Sequence, residues 1–131
     1  GGLVAEELWF DQISTGPAGD LVYATGLAGK MIGTMGMGSS LVSFAAAAEE
    51  GKSPLLAALS DDRTRQQIEE LLEDAKARAK AQLQANAHIV EALRDALVDR
   101  QELVGTEIIE VITTAAGRSA GDIDLRVEAQ L

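Results

Sequence analysis

Apolar side chains recur along most of this chain at helical rather than strand spacing. Near the start, Leu3, Val4, Leu8 and Trp9 alternate with Glu6 and Glu7 in a pattern that predicts a short amphipathic helix ending about Phe10. The stretch DQISTGPAGD interrupts it. Ser14 and Thr15 are cap-type residues, Gly16 permits an unusual backbone angle, and Pro17 suits a first helical turn, where its missing N–H would have had no partner. A second helix is expected from near Pro17 to about Met35.

From Leu21 to Ala48 the only charge is Lys30, and Gly29 and Gly33 form a GxxxG pair, so a membrane span has to be weighed. The repeated glycines and the mid-segment lysine favour a buried helix whose small residues let a neighbour approach, followed by a loose Gly/Ser turn. Within this stretch GLAGKM is no phosphate loop, because Ala24 and Met31 occupy two of the positions that GxxxxGK[ST] requires. The following LVSFAAAAEEGKSPLLAALS reads as irregular or briefly helical.

Ser60, Asp61 and Asp62 then open the clearest element, with acidic residues at its start as the helix dipole prefers. Ile68, Leu71, Leu72, Ala75, Ala79 and Leu83 mark one face, and Glu, Lys, Arg and Gln cover the other. The pattern loosens around QANAH and resumes through Ile89, Val90, Leu93, Leu97 and Val98 to about Arg100, giving two long helices or one with a bend. After Gly105 and Thr106, the run Ile108, Ile109, Val111 and Ile112 suits a short, well-buried helix, although β-branching leaves a strand open. In the tail, Ile123, Leu125, Val127, Ala129 and Leu131 alternate strictly with polar residues, which is strand spacing.

Composition agrees with this reading. Trp9, Phe10, Tyr23 and Phe44 are the only aromatic residues among 131, while helix formers are abundant. The expected fold is all-α: one helical bundle of about five helices, two of them long and either antiparallel or bent, with a short C-terminal strand. A formal charge of −10 argues against nucleic acid or an anionic membrane surface as partner. The absence of cysteine removes disulfides and thiolate metal sites. The chain opens on GGLVAEELWF without an initiator Met, a basic n-region or an apolar h-region, and reads as a piece of something longer.

Few side chains here carry chemistry. A helix-borne catalytic zinc site of HExxH type needs two histidines one turn apart, and this chain has only His88, read as an ordinary helix residue. Glu6, Glu7, Asp11 and Asp20 are the one acidic cluster close to apolar, glycine-rich sequence. On these residues alone Asp20 has two readings: a carboxylate favoured by a helix N-terminus, or one ligand of a metal site.

The segment GGLVAEELWF with STGPAGDLVYATGLAGKMIGTMGM resembles the peptidase domain of the FtsH family, the membrane-anchored AAA+ zinc metalloproteases. That family's pattern is close to GGRAAEELIFG followed by [ST]TGASNDLxxATxxARxMVxxxGM. Gly1, Gly2, Ala5, Glu6, Glu7, Leu8 and Phe10 match the first part, and Thr15, Gly16, Asp20 and Leu21 match the second. Further on, HIVEALRDALVDRQELVGTEIIEVI resembles the stretch that closes the protease domain, so the likeness reaches about Ala116. Gly19 replaces the asparagine before the aspartate, Gly29 and Lys30 depart from ARxM, and the segment 38–60 is unlike the usual sequence, as in a divergent member.

The resemblance implies that residues 1–116 are the C-terminal helical part of the peptidase domain and that 117–131 form a separate tail. It implies that Asp20 is the third zinc ligand, beside two histidines of an HExxH segment upstream of Gly1, and that Glu6 orients a ligand histidine from behind. In the parent protein it further implies ATP and magnesium on an ATPase domain, a hexameric homo-oligomer, and unfolded or membrane proteins as substrates. The location would be the cell membrane, reached only through N-terminal segments absent here, with the peptidase domain on the cytoplasmic side. This chain alone is expected to be inactive. The alternative is a non-catalytic helical module of the same fold that serves oligomerisation or substrate docking.

Overall fold

A computed structural model describes residues 1–12 and 14–117. The described residues are all-α: α1 (Gly2–Trp9), α2 (Ala18–Gly33), a 3-10 segment (Phe44–Glu50), α3 (Pro54–Ser60), α4 (Asp62–Ala85), α5 (Ala87–Arg100) and α6 (Gly105–Ala116). They contain no strand. The strand expected in the tail falls on residues outside the described ones. The chain divides into two compact units, Gly1–Ala81 and the residues from Gln82 onward.

In the first unit the ends of the helices follow from local chemistry. Pro17, buried, immediately precedes α2. Ser53 caps α3 by accepting the Leu56 N–H at 3.3 Å, and Pro54 fills the first helical position. Asp61 does two jobs: its extended backbone (φ −87°, ψ 117°) stops α3, and its carboxylate accepts the Thr64 N–H at 2.9 Å to start α4. Hydrogen bonds from the Thr64 hydroxyl and N–H hold the Asp61 carboxyl below the usual carboxylate range. The connection that reads as irregular or briefly helical resolves into the 3-10 segment and α3.

The core of this unit is small. Val4 of α1, Ala28 of α2, Ala58 of α3 and Ile68 of α4 are its buried apolar side chains, with Thr64 buried beside them. Its tightest contact lies between α2 and α3. A methyl group added at Gly33 would come 2.8 Å from the Ala58 Cβ, and one at Gly29 would overlap Leu55 Cδ1. The GxxxG pair thus serves a helix crossing inside a domain, and among the described residues no helix is long and apolar enough to cross a membrane. Along α4, Ile68 is buried and Leu71, Leu72, Ala79 and Leu83 are half-buried, as the face read from the sequence requires, whereas Ala75 on that face is exposed.

The second unit contains the end of α4, then α5 and α6. Asn86 separates α4 from α5, and its amide Nδ2 donates to the Gln82 carbonyl at 2.9 Å. Gln101, at φ 65°, ends α5, and the Glu107 carboxylate accepts the Val104 N–H at 2.9 Å to start α6. One expectation fails here: α6 is a helix, but it is not well buried. Ile108 and Ile109 are 37% and 52% exposed, and neither α5 nor α6 has a buried residue. Helix α6 packs on α5, and one neighbouring helix can cover only part of a helical apolar face.

The α2–α3 contact makes a paired prediction. Gly33→Ala should lower the unfolding free energy by about 1–2 kcal/mol, because overpacking costs about 1–3 kcal/mol and the better helix propensity of alanine offsets up to about 1. Gly26→Ala, where an added methyl meets nothing within 4 Å, should instead raise it by up to about 1 kcal/mol. Urea unfolding followed by helical ellipticity checks both, and equal stability of the two variants would rule out the tight crossing.

Candidate metal-binding site

Helices α1, α2 and α4 line a cleft of about 410 Å³. Its apolar lining includes Leu3, Val4, Pro17, Leu21, Leu72 and Ala79, and its charged groups are Asp20, Glu69, Glu73 and Lys76. Asp20 stands in the first turn of α2, where the amides of the helix start favour a negative charge. Its side chain is exposed, and its Oδ2 lies 3.6 Å from where a Cβ on Gly2 would be. The carboxylate therefore sits at the cleft beside the first residues of the chain, and no side chain among the described residues pairs with it.

Glu6 is engaged differently. Its Oε2 accepts the Ser14 N–H and its Oε1 accepts the Ser14 hydroxyl, both at 2.7 Å. Those two bonds, the hydroxyl first, hold the Glu6 carboxyl below the ordinary glutamate value. Glu6 does not line the cleft. Its neighbour Glu7 reaches across to Lys76 of α4 with an Oε1–Nζ distance of 2.6 Å, joining two walls of the cleft. His88 lies exposed on α5.

Ser14 reads in the sequence as a cap-type residue, not as a partner of Glu6, and Lys76 does not stand out. Ser14 follows Glu6 by eight residues across a helix end, and Lys76 follows Glu7 by sixty-nine, separations that no helical or strand period links. Among the described residues no group of three or more His, Cys, Asp or Glu is arranged to hold a metal ion. The carboxylates that line the cleft are Asp20, Glu69 and Glu73; Asp20, at a helix start, fits one position of a zinc site with ligands from elsewhere and cannot hold zinc by itself.

The model of peptidase family M41 matches residues 1–111. The chain belongs to this family. Curated relatives agree. It is 31% identical over 118 residues to the ATP-dependent zinc metalloprotease FtsH 4 of Synechocystis, covering 82% of this chain and 19% of that protein. It is 32% identical over 127 residues to FtsH 1 of Sorangium cellulosum, covering 90% and 20%. With the FtsH protein of Paraburkholderia phymatum it shares 31% identity over 137 aligned positions, covering 96% and 21%. The chain spans about a fifth of the length of these relatives. No solved structure matches it significantly. As a family M41 member it comes from a group of zinc-dependent proteases, and its helical fold is the one the FtsH resemblance implies.

The Glu6 contacts predict a pH dependence. Because the folded-state value is lowered, the ionised carboxylate adds stability above the ordinary glutamate pKa of 4.5, and this is lost as pH falls through the lower folded value. Thermal melts should show wild type above Glu6→Gln at pH 7, with the gap closing on acidification. A gap that widens toward low pH would contradict the Ser14 bonds.

Proposed function

We propose that this chain is the C-terminal helical part of the peptidase domain of an ATP-dependent zinc metalloendopeptidase, and that Asp20 supplies one zinc ligand. The observation that carries the reading is the unpartnered Asp20 carboxylate at the cleft beside Gly2. Two histidines of an HExxH segment preceding Gly1 would complete the ligand set. When bound, zinc supplies Lewis acidity toward a peptide carbonyl and lowers the pKa of a water molecule. The part played by this chain is to present an anionic oxygen donor from a rigid helix start. The cleft wall beside that donor is apolar, with Leu3, Leu21 and Leu72.

In the parent protein, ATP and magnesium on a separate ATPase domain would drive unfolded or membrane proteins toward this site, within a hexameric ring attached to the cell membrane and facing the cytoplasm. Residues 1–116 belong to the peptidase domain in this reading, and 117–131 to a tail. The isolated chain, with one ligand, is inactive. A second reading, a non-catalytic oligomerisation or substrate-docking module, draws support from the apolar side chains that α2 leaves exposed, Val22 and Tyr23 at 75% each and Leu21 and Leu27 at 47% each.

Asp20→Ala in the protein extended upstream through its HExxH segment separates the two. Loss of a direct ligand should weaken zinc binding by more than the roughly 10–100-fold that loss of an outer partner costs. Chelator competition measures the affinity, and casein cleavage should fall with it. Unchanged zinc affinity in the variant would sink the ligand assignment.

A further inference from the structure

We propose that Glu6 and Ser14 form a latch that positions Asp20 by fixing the start of α2 onto α1. This inference rests on Asp20 being a zinc ligand, and it gives Glu6 a role other than the histidine-orienting one that the family resemblance implies. The latch is a continuous chain of hydrogen bonds. The Glu6 carboxylate on α1 accepts both the N–H and the hydroxyl of Ser14 at 2.7 Å. The same hydroxyl oxygen accepts the Gly16 N–H at 3.0 Å, so its proton and one of its two lone pairs are committed. From there the first turn follows directly: Ala18 N–H donates to the Thr15 carbonyl at 3.2 Å, and Leu21 N–H donates to the Pro17 carbonyl at 3.0 Å. Asp20 lies within that turn.

Steric fit closes the latch. A Cβ on Gly16 would come 3.2 Å from the Ser14 hydroxyl and 3.4 Å from Glu6 Oε1, so the backbone passes where a side chain would push the two apart. A loop between two helices otherwise samples many backbone states. A zinc ligand, by contrast, must hold its distance to within about 0.2 Å. One carboxylate that grips two donors of a single loop residue removes that freedom close to the ligand. Each oxygen of Glu6 accepts one bond from Ser14, so the path from Glu6 to Asp20 runs through the loop.

The test uses the protein carrying its HExxH segment, with zinc affinity read by chelator competition, thermal stability read separately, and backbone amide exchange read at Ser14 and Gly16. Ser14→Ala should weaken zinc binding about 10-fold or more and speed exchange at Gly16. Ser14→Thr, which keeps the hydroxyl, should restore both, and Glu6→Gln should weaken binding alongside faster exchange at Ser14. A purely structural role would move the melting temperature and leave zinc affinity alone, which overturns the proposal. If Glu6→Gln weakens zinc binding while Ser14→Ala does not, the carboxylate acts on a ligand without the loop, and the latch is again wrong. If Asp20→Ala weakens binding but neither latch variant does, the ligand reading stands and the latch falls. An Asp20→Ala variant with unchanged zinc affinity removes both.

Discussion

Two glycines one helical turn apart decide where α2 lies. At Gly29 and Gly33 the backbone of α2 comes so close to Leu55 and Ala58 of α3 that a single methyl group would collide. This close crossing anchors the C-terminal half of α2, where Ala28, Gly29 and Gly33 are its buried residues. The N-terminal half is left to face α1 and α4, with Asp20, Leu21 and Ala24 lining the cleft they share. The candidate ligand is thus placed by packing at the far end of its own helix, since a helix transmits position along its axis through its hydrogen-bond ladder.

The helices were legible wherever local physics decided them. Asp61 with Thr64 is a start signal whose hydrogen bond lies within three residues, so reading it needs no knowledge of the fold; Ser53 with Pro54 is another, although the stretch around it reads only as irregular or briefly helical. The α4 face from Ile68 to Leu83 follows from period alone. Burial is another matter. The run Ile108 to Ile112 looks like core by composition, yet its exposure depends on how many elements surround α6, which no local pattern encodes. The Glu7–Lys76 pair and the Glu6–Ser14 bonds were illegible for the same reason, because they depend on two elements meeting.

For the site, the family likeness singled out Asp20 and the coordinates supply its surroundings. Resemblance could name the residue because Ser14, Thr15, Gly16 and Asp20 keep the family's spacing. It could not say what holds that residue in place. Gly16 illustrates the gap: as a letter it signals a turn, whereas in space it is the point where an added Cβ would crowd Ser14 at 3.2 Å and touch Glu6 at 3.4 Å.

Among 21 acidic residues, partnership is what separates the carboxylates near α1 and α2 from one another. Glu6 accepts twice from Ser14, Glu7 pairs with Lys76, and Asp61 accepts the N–H that starts α4. A carboxylate so engaged must share its oxygens with those donors or break a bond to bind a metal, and either lowers affinity. Asp20 has no such bond to break. Glu69 and Glu73 also line the cleft unpaired, but each has an extra rotatable bond and stands well inside α4, away from the unpaired N–H groups of its first turn. A short side chain on a helix start, held from behind by a neighbouring latch, loses the least freedom on meeting a cation. That difference, rather than acidity as such, makes Asp20 the carboxylate here best suited to ligation.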